Sequence, residues 1–160
     1  MGRARAVLWD VDGTLVENDA LHWRTWRESL AGEGVALTEE GYAAVAGLTN
    51  AATVRALLGE RAVAEGARIA AAKEEQYRAL VRAHGLTPAP GVVALLAHLR
   101  ATGWRQAVAS SAIRLNLEVV LRALAVDGYF DAVVGSEDVA RGKPDPEVFL
   151  TAAARLGVPP

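Results

Sequence analysis

The chain has 160 residues, of which 52% are hydrophobic and 22% are charged, a composition typical of a globular protein and not of a disordered one. Its formal net charge of −2 gives no electrostatic reason to bind nucleic acid or an acidic membrane surface. The sequence contains no cysteine, which excludes disulfides and thiol chemistry and fits a reducing compartment.

The beginning of the chain favours a cytoplasmic protein. Residues 1–5 lead directly into the first predicted strand, which leaves no room for a signal peptide. No run of residues approaches the roughly 18 apolar positions that a membrane span requires.

The first predicted element is a strand over residues 6–9, Ala-Val-Leu-Trp, whose continuous apolar run suits a strand buried on both faces of a parallel sheet. Asp10, Asp12 and Gly13 follow it directly. Ligands of open α/β sheets bind at this carboxyl end, and side chains two positions apart in a strand point the same way. Two carboxylates facing one crevice repel each other, so the pair needs a cation or a shared proton. The alternative is an ordinary acidic turn.

Residues 16–86 predict four helices and no strand, which indicates a small helical domain inserted directly after the acidic turn. The first begins at Asn18 or Asp19 and the second at Thr38, since these residue types cap helices. Asn50 is predicted to cap the third helix. The fourth is a long alanine-rich segment over residues 61–83.

The rest of the chain alternates helices and strands. Residues 87–91, Thr-Pro-Ala-Pro-Gly, predict a hinge. Beyond it we expect helices over residues 92–100, 114–125 and 146–156, and strands over residues 104–110 and 131–135. This alternation predicts a parallel sheet with right-handed crossovers.

Three further residues are candidates for the functional site. Ser110 ends the second predicted strand, where its hydroxyl and the following helix N-terminus could hold phosphate oxygens, although Ser-Ser is also an ordinary helix start. Among the 17 basic residues only Lys73 and Lys143 are lysine, which indicates positions where a compact ammonium is needed. The alternative is that these two lysines were retained by chance. Pro144 rigidifies the loop that carries Lys143, which favours a functional role for this lysine. The alternative is that Lys143 is an ordinary solvated cation of a surface loop.

These residues resemble the motifs of the haloacid dehalogenase superfamily of phosphohydrolases. The first motif is matched by Asp10, Asp12, Gly13 and Thr14, the second by Ser110 and Ser111, and the third by the phrase from Gly128 to Phe149 that contains Lys143. The resemblance implies an α/β, Rossmann-like core over residues 1–15 and 88–160, with a helical cap over residues 16–87.

The resemblance also implies a chemistry, the Mg²⁺-dependent hydrolysis of a small phosphate monoester of the sugar phosphate or phosphoglycolate type. Asp10 would attack phosphorus and become an aspartyl phosphate, while Asp12 would act as general acid and then as general base. Ser110 and Lys143 would stabilise the phosphoryl oxygens. The metal would bind the Asp10 carboxylate and the Asp12 main-chain carbonyl.

The helical cap resembles the branch that contains β-phosphoglucomutase and phosphoglycolate phosphatase. By this resemblance His22 and Lys73 are substrate-binding candidates, together with Gly13, Thr14, Asn50 and Ser111. His22 could equally be structural. Lys73 could instead pair with Glu74 or Glu75, although adjacent residues of a helix face apart.

Phosphomutase-like members carry an arginine where this chain has Asn50, and a Ser-Lys pair where it has Ala112 and Ile113. A phosphatase is therefore expected, with a phosphomutase as the alternative. Hydrolytic dehalogenation is disfavoured by Asp12, and a receiver-like regulatory domain by the long helical insertion.

The resemblance places a fourth, acidic motif after Pro160, where the sequence stops. We therefore expect this chain to be part of a longer protein of roughly 210–230 residues, the ordinary size of a two-part chain. An inactive truncated form is a further alternative, because the sheet edge at residues 7–9 would be open and the site would lack one acid. The oligomeric state is not predicted.

Overall fold

The computed structural model describes residues 5–159, which contain a parallel sheet of three strands. The strands are β1 (Ala6–Trp9), β2 (Arg105–Ala109) and β3 (Ala132–Val134), in the order β1-β2-β3. In the register, Trp9 lies opposite Val108 and Val108 opposite Val133. The α/β fold class expected from the sequence is confirmed.

Seven helices surround or extend from this sheet. They are α1 (Asp19–Ala31), α2 (Glu39–Ala43), α3 (Asn50–Leu58), α4 (Arg61–His84), α5 (Val92–Ala101), α6 (Arg114–Ala123) and α7 (Glu147–Leu156). The first four follow one another without a strand, as the sequence predicts. The last three alternate with β2 and β3.

The central strand β2 separates two apolar layers because its side chains alternate between the faces of the sheet. Ala107 and Ala109 pack with α7, where Ala152 and Leu156 are fully buried. Val108 packs on the opposite face with buried residues of α5 and α6, among them Leu96, Leu117 and Leu121.

The prediction that β1 is buried on both faces is wrong, because all four of its residues are only partly buried. Among the described residues β1 pairs with β2 alone. In β2, residues 106–109 are buried and Arg105 is exposed, because this strand has a strand on each side and helices on both faces. Trp9 is nevertheless fixed, since its indole N–H donates to Gln106 Oε1 at 3.0 Å.

The helical insertion, which contains α1–α4, has its own apolar cluster formed by Trp26, Leu30, Val54, Leu58, Ile69 and Ala70. Helices α3 and α4 approach closely at Gly66, where an added Cβ would lie 2.8 Å from Val54 Cγ2. A second set of contacts joins the insertion to the core. Tyr77 and Val81 of α4 are buried against Val11 and Leu15, beside the end of β1.

The chain enters and leaves the insertion through two adjacent segments. Val16 forms an antiparallel bridge with Pro88, and the Ala89 amide donates to the Leu15 carbonyl at 2.9 Å. The predicted hinge over residues 87–91 therefore lies directly beside the turn that follows β1.

Two of the expected helix caps differ in detail. Thr49, not Asn50, caps α3, because Thr49 has the extended backbone that a cap needs and its hydroxyl accepts the Ala52 amide. Asn18 precedes α1, but its side chain makes no cap bond; its amide binds Asp12 instead. In the part of the chain that the structure describes, no helix combines the length and the apolarity needed to cross a membrane.

The packing of α5 generates a stability prediction. Leu96 is fully buried, whereas its neighbour Leu95 is 46% exposed. We expect Leu96→Ala to lower the free energy of unfolding by about 2–5 kcal/mol, through lost burial and the cavity left behind. The matched Leu95→Ala variant should change it by less than about 1 kcal/mol. Urea denaturation followed by circular dichroism measures both, and equal losses would contradict this description of the core.

Candidate active site

Polar residues gather at the carboxyl edge of the sheet. Asp10 directly follows β1, Ser110 directly follows β2, and Lys143 lies in the loop between β3 and α7. Because β1 and β2 are adjacent and parallel, their carboxyl ends meet at one edge. The fold thus brings together side chains that are distant in the sequence.

Asp10 and Lys143 form the first pair of this site. Lys143 Nζ lies 2.7 Å from Asp10 Oδ2, and its ammonium also lies over the ring of Phe149, 5.1 Å from the centroid. The other carboxylate oxygen, Asp10 Oδ1, accepts the Val11 amide at 2.8 Å. The Asp10 side chain is 40% exposed, so one of its oxygens remains accessible to a ligand.

Ser110 is fixed by hydrogen bonds on two sides and is almost fully buried. Its amide donates to the Val134 carbonyl at 3.1 Å, which joins it to the end of β3. Its hydroxyl oxygen accepts the Ala112 amide at 3.1 Å. The hydroxyl proton takes no part in that bond and is free to donate to an oxygen of a bound anion.

Asp12 has different partners from Asp10. Its Oδ1 accepts the Asn18 amide at 2.5 Å and lies 3.5 Å from His22 Nε2. Burial opposes ionisation of Asp12, but hydrogen bonds from His22 and Asn18, together with the charge of Lys73, outweigh it and hold the pKa of Asp12 below its ordinary value.

The two aspartates therefore have different partners, and they do not share a proton. Strand alternation does not govern them, because β1 ends at Trp9 and Gly13 takes a positive φ of 71° in the turn that follows. Asp10 contacts Lys143, whereas Asp12 contacts α1.

His22 and Lys73 form a partly buried contact beside Asp12. The His22 ring stacks on Tyr77 with centroids 4.3 Å apart, and His22 Nδ1 lies 3.0 Å from Lys73 Nζ. If the ammonium donates to Nδ1, the neutral imidazole carries its proton on Nε2, the nitrogen that faces Asp12. The imidazole thereby links the lysine to the carboxylate.

Lys73 is 1% exposed and lies 5.2 Å from the ring centroids of both Trp26 and Tyr77. Burial lowers the pKa of Lys73, against the opposing charge of Glu74. Its ammonium lies 2.9 Å from Glu74 Oε1, so these adjacent residues of α4 do pair. The argument that their positions on a helix keep them apart is wrong here, because both side chains are long enough to turn toward each other.

Sequence reasoning missed the group that surrounds this lysine. Asn116 of α6 is buried; its amide donates to Glu74, and its carbonyl oxygen accepts from Arg78 at 2.9 Å. Tyr77 and Asn18 were also missed as site residues, although their hydrogen bond, at 2.7 Å, adjoins Asp12. The one local signal is spacing, since Asn18 and Tyr77 lie four residues from His22 and Lys73 respectively.

A cavity of about 90 Å³ lies between the insertion and the core. On the core side it is lined by Asp12, Ser111 and Asn116, and on the other side by residues that include Asp19, His22, Tyr42, Asn50, Lys73 and Glu74. Ser111 Oγ and Asn18 Oδ1 are buried without a hydrogen-bond partner, so this region has unused capacity to bind polar groups.

The remaining candidates lie outside this cavity. Gly13 and Thr14 are exposed in the turn after β1, where the Gly13 amide donates to the Val16 carbonyl and the Thr14 amide to the Val11 carbonyl. Asp10, Ser110 and Lys143 lie at the sheet edge and do not line the cavity. Asp12 and Ser111 join the sheet edge to the cavity.

The donor set at the sheet edge suits a hard cation but is sparse. Within residues 5–159, no three His, Cys, Asp or Glu side chains cluster closely enough to hold a metal ion. The carboxylate of Asp10 and the carbonyl oxygen of Asp12 are nevertheless the ligand types that Mg²⁺ prefers, and Mg²⁺ often keeps waters and substrate phosphate oxygens beside one or two protein carboxylates. These residues therefore fit part of a magnesium site.

Comparison with known proteins gives consistent results. A family model described as haloacid dehalogenase-like hydrolase matches residues 4–160. The β-phosphoglucomutase of Bacillus subtilis is 29% identical and covers 98% of this chain and 71% of its own length. The fructose-1-phosphate phosphatase YqaB of Escherichia coli is 29% identical, covering 99% of this chain and 83% of its own length.

The fold is also similar to that of a solved structure. The crystal structure of CbbY from Rhodobacter sphaeroides, in complex with xylulose-(1,5)bisphosphate, has a TM-score of 0.85 and 29% sequence identity to this chain. The match covers 98% of this chain and 74% of CbbY. Two of these relatives are named for action on a phosphorylated sugar, and the third was solved with one bound.

The carboxylates of Glu74 and Asp12 generate a prediction about acid stability. Burial opposes ionisation of Glu74, but Lys73 and Asn116 outweigh it, so the pKa of Glu74, like that of Asp12, is below its ordinary value. The unfolded chain then binds protons at a higher pH than the folded one. The two ionised carboxylates stabilise the folded state fully above the pKa values that they have in the unfolded chain, which are about 4. This stabilisation is lost as the pH falls through the lower pKa values of the folded state.

We therefore expect the free energy of unfolding to fall steeply below about pH 4.5. Urea titrations between pH 3 and pH 7 measure the slope, which should be shallower in the Glu74→Gln variant. An unchanged slope in that variant would contradict the role given to Glu74.

Proposed function

Because the chain belongs to the haloacid dehalogenase-like hydrolases, we propose that it is a phosphatase that hydrolyses a small phosphate monoester through an aspartyl phosphate on Asp10. The observation that carries this proposal is the division between the two aspartates. Asp10 is an accessible carboxylate paired with Lys143, whereas Asp12 is held by Asn18 and faces His22. Such different surroundings suit one nucleophile and one acid–base group.

In the first step, an oxygen of Asp10 bonds to phosphorus while the bond from phosphorus to the leaving oxygen breaks. Asp12 gives a proton to that leaving oxygen. The pKa of Asp12 is lowered in the free protein, but the negative charge of a bound phosphate favours its protonated form. In the second step, the ionised Asp12 takes a proton from water, whose oxygen attacks phosphorus and releases Asp10.

Lys143 and Ser110 supply charge and hydrogen bonding to the phosphoryl oxygens. The ammonium of Lys143 already lies 2.7 Å from Asp10, so a phosphoryl group on Asp10 would be within its reach. Ser110 has a free hydroxyl proton and a position fixed by the Val134 carbonyl. Donors held in place before the reaction stabilise developing charge without reorganisation.

Hydrolases of this family generally use Mg²⁺. The groups that would hold it here are the Asp10 carboxylate and the Asp12 main-chain carbonyl, and the ion would neutralise charge on the phosphate oxygens.

The helical insertion would act as a cap that closes over the sheet edge, with residues 1–15 and 88–160 as the core and residues 16–87 as the cap. Its separate apolar cluster supports this division. So does the bridge between Val16 and Pro88, which places both connections side by side, as a hinge requires. Closure would exclude water and bring His22 and Lys73 to the substrate.

A phosphomutase is the second candidate, because β-phosphoglucomutase is among the relatives. It is less favoured because a mutase must also hold a second phosphate. Asn50, which stands where the mutase-like resemblance has arginine, lines the cavity but offers an uncharged amide. Requirement for a bisphosphate activator, with isomerised product and no released phosphate, would establish the mutase instead.

The nucleophile is tested with Asp10→Asn, which keeps the shape of the side chain but removes its charge. We expect loss of essentially all Mg²⁺-dependent phosphate release from p-nitrophenyl phosphate, whereas Asp127→Asn, at an exposed position, should leave it unchanged. Mass spectrometry of acid-quenched wild-type protein should detect a phosphorylated Asp10. Full activity of Asp10→Asn would refute the mechanism.

Lys143→Arg tests the need for a compact ammonium. A guanidinium spreads its charge over a planar fork and cannot reproduce the single 2.7 Å contact with Asp10 while also approaching the phosphate. We expect kcat to fall by about 10-fold or more, and steady-state kinetics with circular dichroism as a folding control measure this. Unchanged kinetics would reduce Lys143 to a loop cation.

A further inference from the structure

We propose that Glu74 determines specificity by rejecting substrates that carry a second anionic group, so that the preferred leaving group is a neutral, hydroxyl-bearing alcohol. This inference rests on the proposed phosphatase function and specifies its substrate class.

Glu74 neutralises the cation that could otherwise attract a second anion. Lys73 supplies the ammonium group of the cavity lining, and its Nζ lies 2.9 Å from Glu74 Oε1. Both residues are at least nine-tenths buried, with 1% and 4% of their surfaces exposed, so solvent does little to screen the pair. The charge of Lys73 is therefore neutralised within the protein before any ligand binds.

The position of Glu74 is fixed from the core. The second carboxylate oxygen, Oε2, accepts the side-chain amide of Asn116 in α6. Arg78 Nη1 donates to the carbonyl oxygen of the same asparagine at 2.9 Å, which orients the asparagine amide toward Glu74. Glu74 thus cannot turn away from Lys73 without losing a hydrogen bond to the other side of the cavity.

The remaining charges of the lining are negative. Asp12 and Asp19 contribute carboxylates in addition to Glu74, against the ammonium of Lys73. Arg78 is not part of the lining, and its guanidinium is paired with Glu75 at 2.6 Å. A carboxylate or a second phosphate on the leaving group would enter a space of about 90 Å³ beside the carboxylate of Glu74, which is 4% exposed and whose charge is therefore little screened.

Neutral hydroxyl groups suit the same cavity. The buried Ser111 hydroxyl has no hydrogen-bond partner, and an alcohol can both donate to it and accept from it. The amide of Asn50 is also part of the lining. A volume of about 90 Å³ holds several water molecules, at roughly 10–15 Å³ each on this measure, and hence a small polyhydroxylated group in their place.

The test compares two phosphate esters of nearly identical size, glycerol 3-phosphate and 3-phosphoglycerate, in which a neutral CH₂OH group replaces a carboxylate. For the wild-type chain with Mg²⁺, we expect kcat/KM to be at least about 10-fold higher for glycerol 3-phosphate, a difference of about 1.4 kcal/mol. In Glu74→Gln, the ratio of kcat/KM for glycerol 3-phosphate to that for 3-phosphoglycerate should fall toward 1, chiefly because kcat/KM for 3-phosphoglycerate rises. In Glu118→Gln, the control at an exposed acid of α6 that does not line the cavity, the ratio of the two kcat/KM values should stay as in wild type.

Binding provides a readout that does not depend on turnover. Calorimetry with the Asp10→Asn variant should give glycerol 3-phosphate at least about 10-fold tighter binding than 3-phosphoglycerate. Equal binding, or preference for the carboxylate, overturns the inference even if no ester is hydrolysed. Failure to release phosphate from any ester, p-nitrophenyl phosphate included, refutes the proposed function and leaves the binding ratio to decide the inference. If Glu74→Gln fails to fold by circular dichroism, the wild-type ratios remain decisive.

Discussion

The buried pair of Lys73 and Glu74 is the constraint on which the arrangement of the helical insertion depends. An ammonium that is 1% exposed must keep an opposing charge, because removing one partner of a buried pair typically costs about 3–5 kcal/mol. Glu74 satisfies that need and also receives the amide of Asn116 from the core. One carboxylate therefore joins α4 to α6 and fixes the wall of the cavity beside Asp12.

The two lysines of the chain have parallel surroundings but different exposure. Each pairs with a carboxylate and lies over an aromatic ring: Lys143 with Asp10 and Phe149, and Lys73 with Glu74 and Trp26. The side chain of Lys143 is 20% exposed and that of Asp10 40% exposed, so a ligand can approach this pair. The pair of Lys73 and Glu74 is buried from solvent, which suits a role in shaping the cavity better than a role in the chemical step.

The division between Asp10 and Asp12 follows from where β1 ends. Because the strand stops at Trp9, the two carboxylates leave the sheet in a turn and acquire separate partners. Asp10 remains beside Lys143 at the sheet edge. Asp12 is drawn toward α1 by Asn18 and His22, and it connects the sheet edge with the cavity. Two acids of one motif are thereby placed in two environments, which is what acid–base and nucleophilic roles require.

The sequence alone determined the fold class, the position of β1 and the existence of the helices α1–α7, because apolar periodicity and glycine or proline punctuation are local signals. It also identified Asp10, Ser110 and Lys143 as strand-end or loop residues, since parallel strands must bring their carboxyl ends together. The pairing of β1 with β2 then placed the first two at one edge.

Only the tertiary structure decided the partners of Asp12 and Lys73. Asn116 and Glu74 are 42 positions apart, and Lys73 and His22 are 51 apart, so no local pattern indicates that they meet. Asn18 looked like a helix cap because its residue type favours caps, yet its amide binds Asp12 instead. Burial explains these partners, because polar groups that are removed from water form hydrogen bonds with whichever groups the packing brings within reach.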